Sequence, residues 1–80
     1  MDDKAILNAI KQLVEEEQGL RETTPDEALT PDERARLNSL EIGLDQCWDL
    51  LRQRRARREA GLNPDDASVR DSSTVERFLQ

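Results

Sequence analysis

Histidine and tyrosine are absent from this 80-residue chain, and cysteine, methionine, tryptophan and phenylalanine occur once each. Without histidine the commonest general base is missing. A single cysteine, Cys47, cannot close an internal disulfide, and no residues are spaced as a zinc ligand set. Gly19, Gly43 and Gly61 lie too far apart to form a phosphate-cradling loop. No run approaches the roughly 20 apolar residues of a membrane span. The opening Met1-Asp2-Asp3 lacks the basic start and apolar stretch of a secretory signal. Together these absences predict a protein that is not an enzyme, uses no cofactor or metal, does not enter a membrane, and resides in the cytoplasm, where a free thiol persists.

What is present is charge in helical order. Charged residues make up 38% of the chain and hydrophobic ones 35%, a balance that borders on disorder. The apolar residues, however, fall into stripes. Ile6, Ile10, Leu13, Val14 and Leu20 repeat at helical spacing, with Leu7 beside them, and predict a helix over about Asp3 to Arg21. Asp2 or Asp3 suits its N-terminus, where negative charge meets the positive end of the helix dipole. Leu37, Leu40, Leu44, Cys47 and Leu51 alternate by three and four, a short heptad seam in a second helix over about Pro31 to Ala60. Trp48 and Leu50 broaden that stripe. Gly61, Leu62 and Pro64 form a stop signal.

Between the helices, Thr24-Pro25-Asp26-Glu27 and Thr30-Pro31-Asp32-Glu33 repeat one quartet. Each reads as a capping box with proline at the first helical position. The second is the expected start of the long helix. The first makes either a single helical turn or half of a tight double turn. Residues 63–73 are polar and read as loose. Ser73 with Glu76 makes a further capping box for a short helix at 74–80, whose Val75, Phe78 and Leu79 share a face and must dock to hold.

The expected fold class is therefore all-α. Residues 1–61 form an antiparallel two-helix hairpin, and residues 62–80 a polar tail with a short helix at 74–80. One core of this size supplies only about 3–5 kcal/mol. Neither a disulfide nor a metal is available to supplement it, which leaves oligomerisation. The expectation is a homodimer, two hairpins pairing as a four-helix bundle through Ile6, Ile10, Leu13, Leu37, Leu40, Leu44, Cys47 and Leu51. It would cover Leu7, Val14, Ile42 and Leu50, which a lone hairpin leaves partly wet.

Charge is unevenly placed. Residues 1–49 hold 13 acidic and 5 basic side chains, whereas residues 50–60 hold five arginines and one glutamate. Arg52, Arg54, Arg55, Arg57 and Arg58 form this band, with Trp48 one turn before Arg52. Arginine pairs bidentately with carboxylate or phosphate, so the band is a candidate anion or partner contact. Three bland readings compete with it. Cations offset the dipole at a helix C-terminus, arginine stems extend apolar surface, and the band can pair with Glu15, Glu16 and Glu17 of another copy or with the acidic tail. Nucleic acid is the sharper partner. An isoelectric point near 4.6 and the shortage of aromatics for base stacking stand against it. A protein partner is the third reading. Glu15, Glu16 and Glu17 read as solvated, because adjacent helical carboxylates point in different directions. Cys47 reads as core packing.

The run Leu44-Asp45-Gln46-Cys47-Trp48-Asp49-Leu50-Leu51-Arg52-Gln53-Arg54-Arg55-Ala56-Arg57-Arg58 resembles a family of small actinobacterial proteins known only as a domain of unknown function. The resemblance extends to the opening Met1-Asp2-Asp3-Lys4 and the closing Val75-Glu76-Arg77-Phe78-Leu79-Gln80. It implies an actinobacterial source and brings no activity, cofactor or site residue with it.

Overall fold

Two acidic residues open the first helix in different roles. In the computed structural model, which describes residues 1–23 and 28–79 with side chains for 1–22 and 28–75, α1 spans Asp3–Thr23. Asp2 caps it, its Oδ1 accepting from the Ala5 N–H at 2.8 Å. Asp3 is left to pair elsewhere. Helix α2 spans Pro31–Glu59 and begins with the expected capping box. Thr30 Oγ1 accepts from the Glu33 N–H at 3.1 Å, and Glu33 Oε1 accepts from the Thr30 N–H at 3.0 Å. Past its end, Gly61 takes φ +74°, the left-handed conformation that glycine adopts without a Cβ penalty. The quartet Thr24-Pro25-Asp26-Glu27 lies outside the described residues. No strand occurs among the described residues, and the chain is all-helical.

α1 and α2 pack antiparallel. Asp3 reaches Arg54 and Arg58, Glu16 reaches Arg36, and Arg21 reaches Glu41. Leu13 sits beside Gly43, 3.4 Å from where a Cβ would be. This register brings Asp3 level with Arg54 and Arg58, so the arginine band lies against the start of α1. Ile6, Ile10 and Leu50 form the buried cluster, with Val14, Leu44, Cys47, Leu51 and Ala67 packed on it. Leu40 and Val75 are also buried. Each such aliphatic side chain contributes about 1.5–3 kcal/mol.

The tail is not loose. After a single 3-10 turn at Pro64–Asp66, residues 67–71 run back along α2 as an extended strap, and α3 spans Ser72–Leu79 against α2. The cap of α3 is Asp71, two residues ahead of the expected Ser73: its Oδ1 accepts from the Thr74 N–H at 2.8 Å. Asp71 wins because its carboxylate also takes both the Ser73 and Thr74 hydroxyls. Val75 is fully buried, which provides the docking such a short helix needs. The side chains of Phe78 and Leu79, expected on the same face, lie outside those described. Leu50, expected to stay partly wet, is buried.

Candidate functional site

Three stripes run along α2, each with a different neighbour. The aliphatic seam faces α1. Gln46, Asp49, Gln53 and Arg57, at spacings of three and four, form a polar stripe beneath the strap. Glu41, Trp48, Arg52 and Arg55 face outward. Helical periodicity places the stripes, and the contacts below confirm the first two.

The polar stripe grips the strap mainly by its backbone. Gln46 Nε2 donates to the Arg70 carbonyl at 3.2 Å and Gln53 Nε2 to the Ser68 carbonyl at 2.8 Å. Further down, Arg57 Nε donates to the Asn63 carbonyl at 2.6 Å, and Arg54 Nη1 to the Pro64 carbonyl at 3.2 Å. At the centre is Asp49, whose side chain is only 1% exposed. Arg70 closes on it with two parallel N–H donors, Nε at 2.8 Å to Oδ2 and Nη2 to Oδ1. Gln53 Nε2 donates to the same Oδ2 at 3.0 Å. The Arg70 guanidinium holds the Asp49 carboxyl below the usual carboxylate range, against a burial that pushes it up. The same pair raises the Arg70 pKa.

The arginine band divides. Arg54 is buried and pairs with Asp3 Oδ1 at 2.6 Å and Asp65 Oδ1 at 3.0 Å, which raises its pKa. Arg58 takes both oxygens of Asp3, at 3.2 and 2.8 Å, and with Arg54 it lowers the Asp3 pKa. Arg57 lies 3.4 Å from Asp66. Arg52 and Arg55 stay exposed, Arg52 at 4.0 Å from Asp49 and Arg55 at 3.1 Å from Glu59. Three of the five candidate contacts are thus engaged by the chain's own N-terminus and tail.

The predicted interface residues separate likewise. Ile6, Ile10 and Leu40 are buried inside one chain, while Leu13, Leu37, Leu44, Cys47 and Leu51 are half-buried. The seam is therefore first an intramolecular contact. The hairpin has two sides. The strap covers the one carrying Leu50. The other carries Leu7, Val14, Leu44 and Trp48, with Leu7 49% and Trp48 46% exposed. The Arg21–Glu41 pair marks this side, since both residues lie on the same flank of their helices as those four.

Asp3, Gln46, Asp49, Gln53 and Arg70 were not singled out as a group from sequence. The signal was present in Gln46-x-x-Asp49-x-x-x-Gln53, a polar row beside the aliphatic one. Its meaning depended on a tail that folds back over it.

Burial pushes the Cys47 thiol up and away from the reactive thiolate. Among the described residues no group of three or more His, Cys, Asp or Glu is placed to hold a metal, and no helix is long and apolar enough to cross a membrane. Every buried side-chain polar atom described has a partner. The arrangement presents two surfaces of opposite character, a polar stripe beneath the strap and an open side bearing Leu7 and Trp48.

These features define a class of protein: an all-helical chain of two long helices and a third, short one, folded back on a buried ion pair. The chain belongs to the family described as protein of unknown function (DUF2630), which matches residues 2–80. It is 44% identical over 77 residues to Uncharacterized protein Rv0898c of Mycobacterium tuberculosis and, equally, to Uncharacterized protein Mb0922c of Mycobacterium bovis. Each match covers 95% of this chain and 88% of the relative. The actinobacterial character of the family agrees with the resemblance carried by the Leu44–Arg58 run. No solved structure matches the chain.

Proposed function

We propose that this protein is a small cytoplasmic helical interaction module that self-associates through the open side of its hairpin. One observation carries the reading: Leu7 and Trp48 stand about half exposed beside Val14 and Leu44, on the side that the strap leaves bare. Aromatic and aliphatic side chains grouped in this way mark contact surfaces. A second copy is the occupant that charge favours. Lys4 borders one end of this side and Glu22 the other, while Arg52, Arg55 and Glu41 there already have Asp49, Glu59 and Arg21 as neighbours. A two-fold axis through the middle sets each basic end against the partner's acidic end. This surface differs from the one read from the stripes alone, because Ile6, Ile10 and Leu40 are already used inside one chain.

The test is solution mass. Wild type at tens of micromolar should run near twice its 9.2 kDa chain mass in light scattering. Leu7→Glu with Trp48→Glu should bring it to the single-chain mass with the far-ultraviolet spectrum unchanged, since both positions are open in one copy. A wild type that stays at the single-chain mass refutes the reading.

Nucleic-acid binding through the arginine band gains little support. Arg54, Arg57 and Arg58 are neutralised in place by Asp3, Asp65 and Asp66, and Arg52 and Arg55 lie beside Asp49 and Glu59. A gel-shift assay at low salt with wild type and Arg52→Gln/Arg55→Gln should show no retained band in either.

A further inference from the structure

We infer that the strap side of α2 is a recognition site for an extended, arginine-bearing peptide, filled in cis by residues 63–71 and able to take the same segment from a second copy. This site is separate from the open side and stands without it. Two side chains of one helix, Gln46 and Gln53, capture carbonyls of the extended strap, and Arg54 and Arg57 capture those of Pro64 and Asn63 at the turn that leads into it. Main-chain capture along a row of fixed donors is how proteins hold extended peptides, with pockets for particular side chains setting specificity. Here the pocket is the Asp49 carboxylate, fully sheltered, and the side chain it selects is Arg70. A planar two-pronged pair of this kind favours arginine over lysine.

The strap itself behaves as a ligand rather than as a piece of core. Few of its side chains go inside. Ala67 packs against the buried cluster whereas Val69 is 59% exposed; beyond the segment Val75 of α3 is buried, and before the segment Leu62 is 53% exposed. It joins α2 through Gly61, whose positive φ marks a sharp reversal with no neighbour within 4 Å of where a Cβ would be. A segment held by polar contacts and one apolar anchor, at the end of a glycine joint, lies at the low-stability end of local opening. Tethering gives it a high effective concentration, about millimolar for a short link, so a free copy must compete against it. Loosening the tethered copy without touching the site should therefore tighten binding of a free one.

The experiment uses the full chain and a fluorescently labelled synthetic peptide of residues 62–80, read by anisotropy. Three forms are compared: wild type, Arg70→Ala, and Asp49→Ala/Arg70→Ala. The Arg70→Ala chain, whose own strap is weakened while Asp49 remains, should bind the peptide at least tenfold more tightly than wild type. Adding Asp49→Ala should remove that gain. A gain of less than tenfold, or one that persists without Asp49, overturns the inference. Should the Arg70→Ala chain be unfolded by itself, saturating peptide must restore its helical circular dichroism, and no recovery overturns the inference equally.

Discussion

Truncating Arg70 to alanine strands a carboxylate that water does not reach. The Asp49 side chain is 1% exposed, and without Arg70 its nearest remaining support is the Gln53 amide and the Arg52 guanidinium at 4.0 Å. Breaking a buried pair from this side is costly because the charge left behind is uncompensated; about 3 kcal/mol is expected, the lower end of the usual range, since Gln53 stays. Truncating Asp49 instead leaves Arg70, whose side chain is already 33% exposed and can turn into solvent. That loss is of hydrogen bonds to a charged group, about 1.5 kcal/mol. The two partners of one ion pair therefore differ by about a factor of two. In a domain this small 1 kcal/mol moves the melting temperature by about 4–8 °C, so Arg70→Ala should melt at least 12 °C below wild type at pH 7, roughly twice the drop of Asp49→Ala.

The pH dependence gives the sharper reading. In wild type the folded Asp49 pKa is lowered, Arg70 being the largest cause and burial the next. That contribution to stability is present above the unfolded pKa of 3.8 and is lost as pH falls through the lower folded value. Remove Arg70, and the largest cause of the lowering goes with it, leaving burial to oppose the smaller pulls of Gln53 and Arg52, so the folded pKa moves up toward its ordinary value. The smaller the remaining difference between folded and unfolded pKa, the less stability this site gains as pH rises through that range. Thermal melts of the two forms from pH 3 to pH 7, at fixed protein concentration, should show a shallower rise with pH for Arg70→Ala than for wild type. Equal melting drops for Arg70→Ala and Asp49→Ala, or parallel pH slopes for wild type and Arg70→Ala, would refute the burial argument.

Other perturbations test separate parts of the fold. Asp71 holds its carboxyl down to about 2 through the Ser73 hydroxyl and the Thr74 N–H, so its stabilisation of α3 is present above 3.8 and disappears as pH falls through about 2. Asp71→Ala should speed amide exchange at Thr74 and Val75 severalfold at neutral pH; unchanged protection would refute the cap. Gly43→Ala places a Cβ 3.4 and 3.8 Å from the Leu13 methyls, ordinary contact, so the helix-propensity gain of up to about 1 kcal/mol should appear as a higher melting temperature. Gly61→Ala should cost about 1 kcal/mol of stability and so lower the melting temperature, because a Cβ disfavours φ +74°. Cys47 should react with a thiol reagent at pH 8 more slowly than free cysteine, its thiol being pushed up by burial.

Local chemistry was legible and long-range chemistry was not. The Thr30–Glu33 box, proline at the first helical position and Gly61 at the end of α2 are each decided within four residues, and both long helices begin where those signals place them. The aliphatic rows likewise named Ile6, Ile10 and Leu40 as inward. The arginines misled because a run of like charge says nothing about carboxylates 51 residues away in the chain, the separation between Asp3 and Arg54. Residues 63–73 misled for a related reason. Their composition is that of a solvated tail, and what orders them is a row of side-chain donors on another element rather than their own hydrophobicity. Once the strap is down, Leu50 has a cover and the aliphatic stripe of α2 no longer needs a second chain on that side. The contact proposed for a second copy therefore lies on the other side, where Leu7 and Trp48 have no such cover, because a tail read as loose already occupies the first.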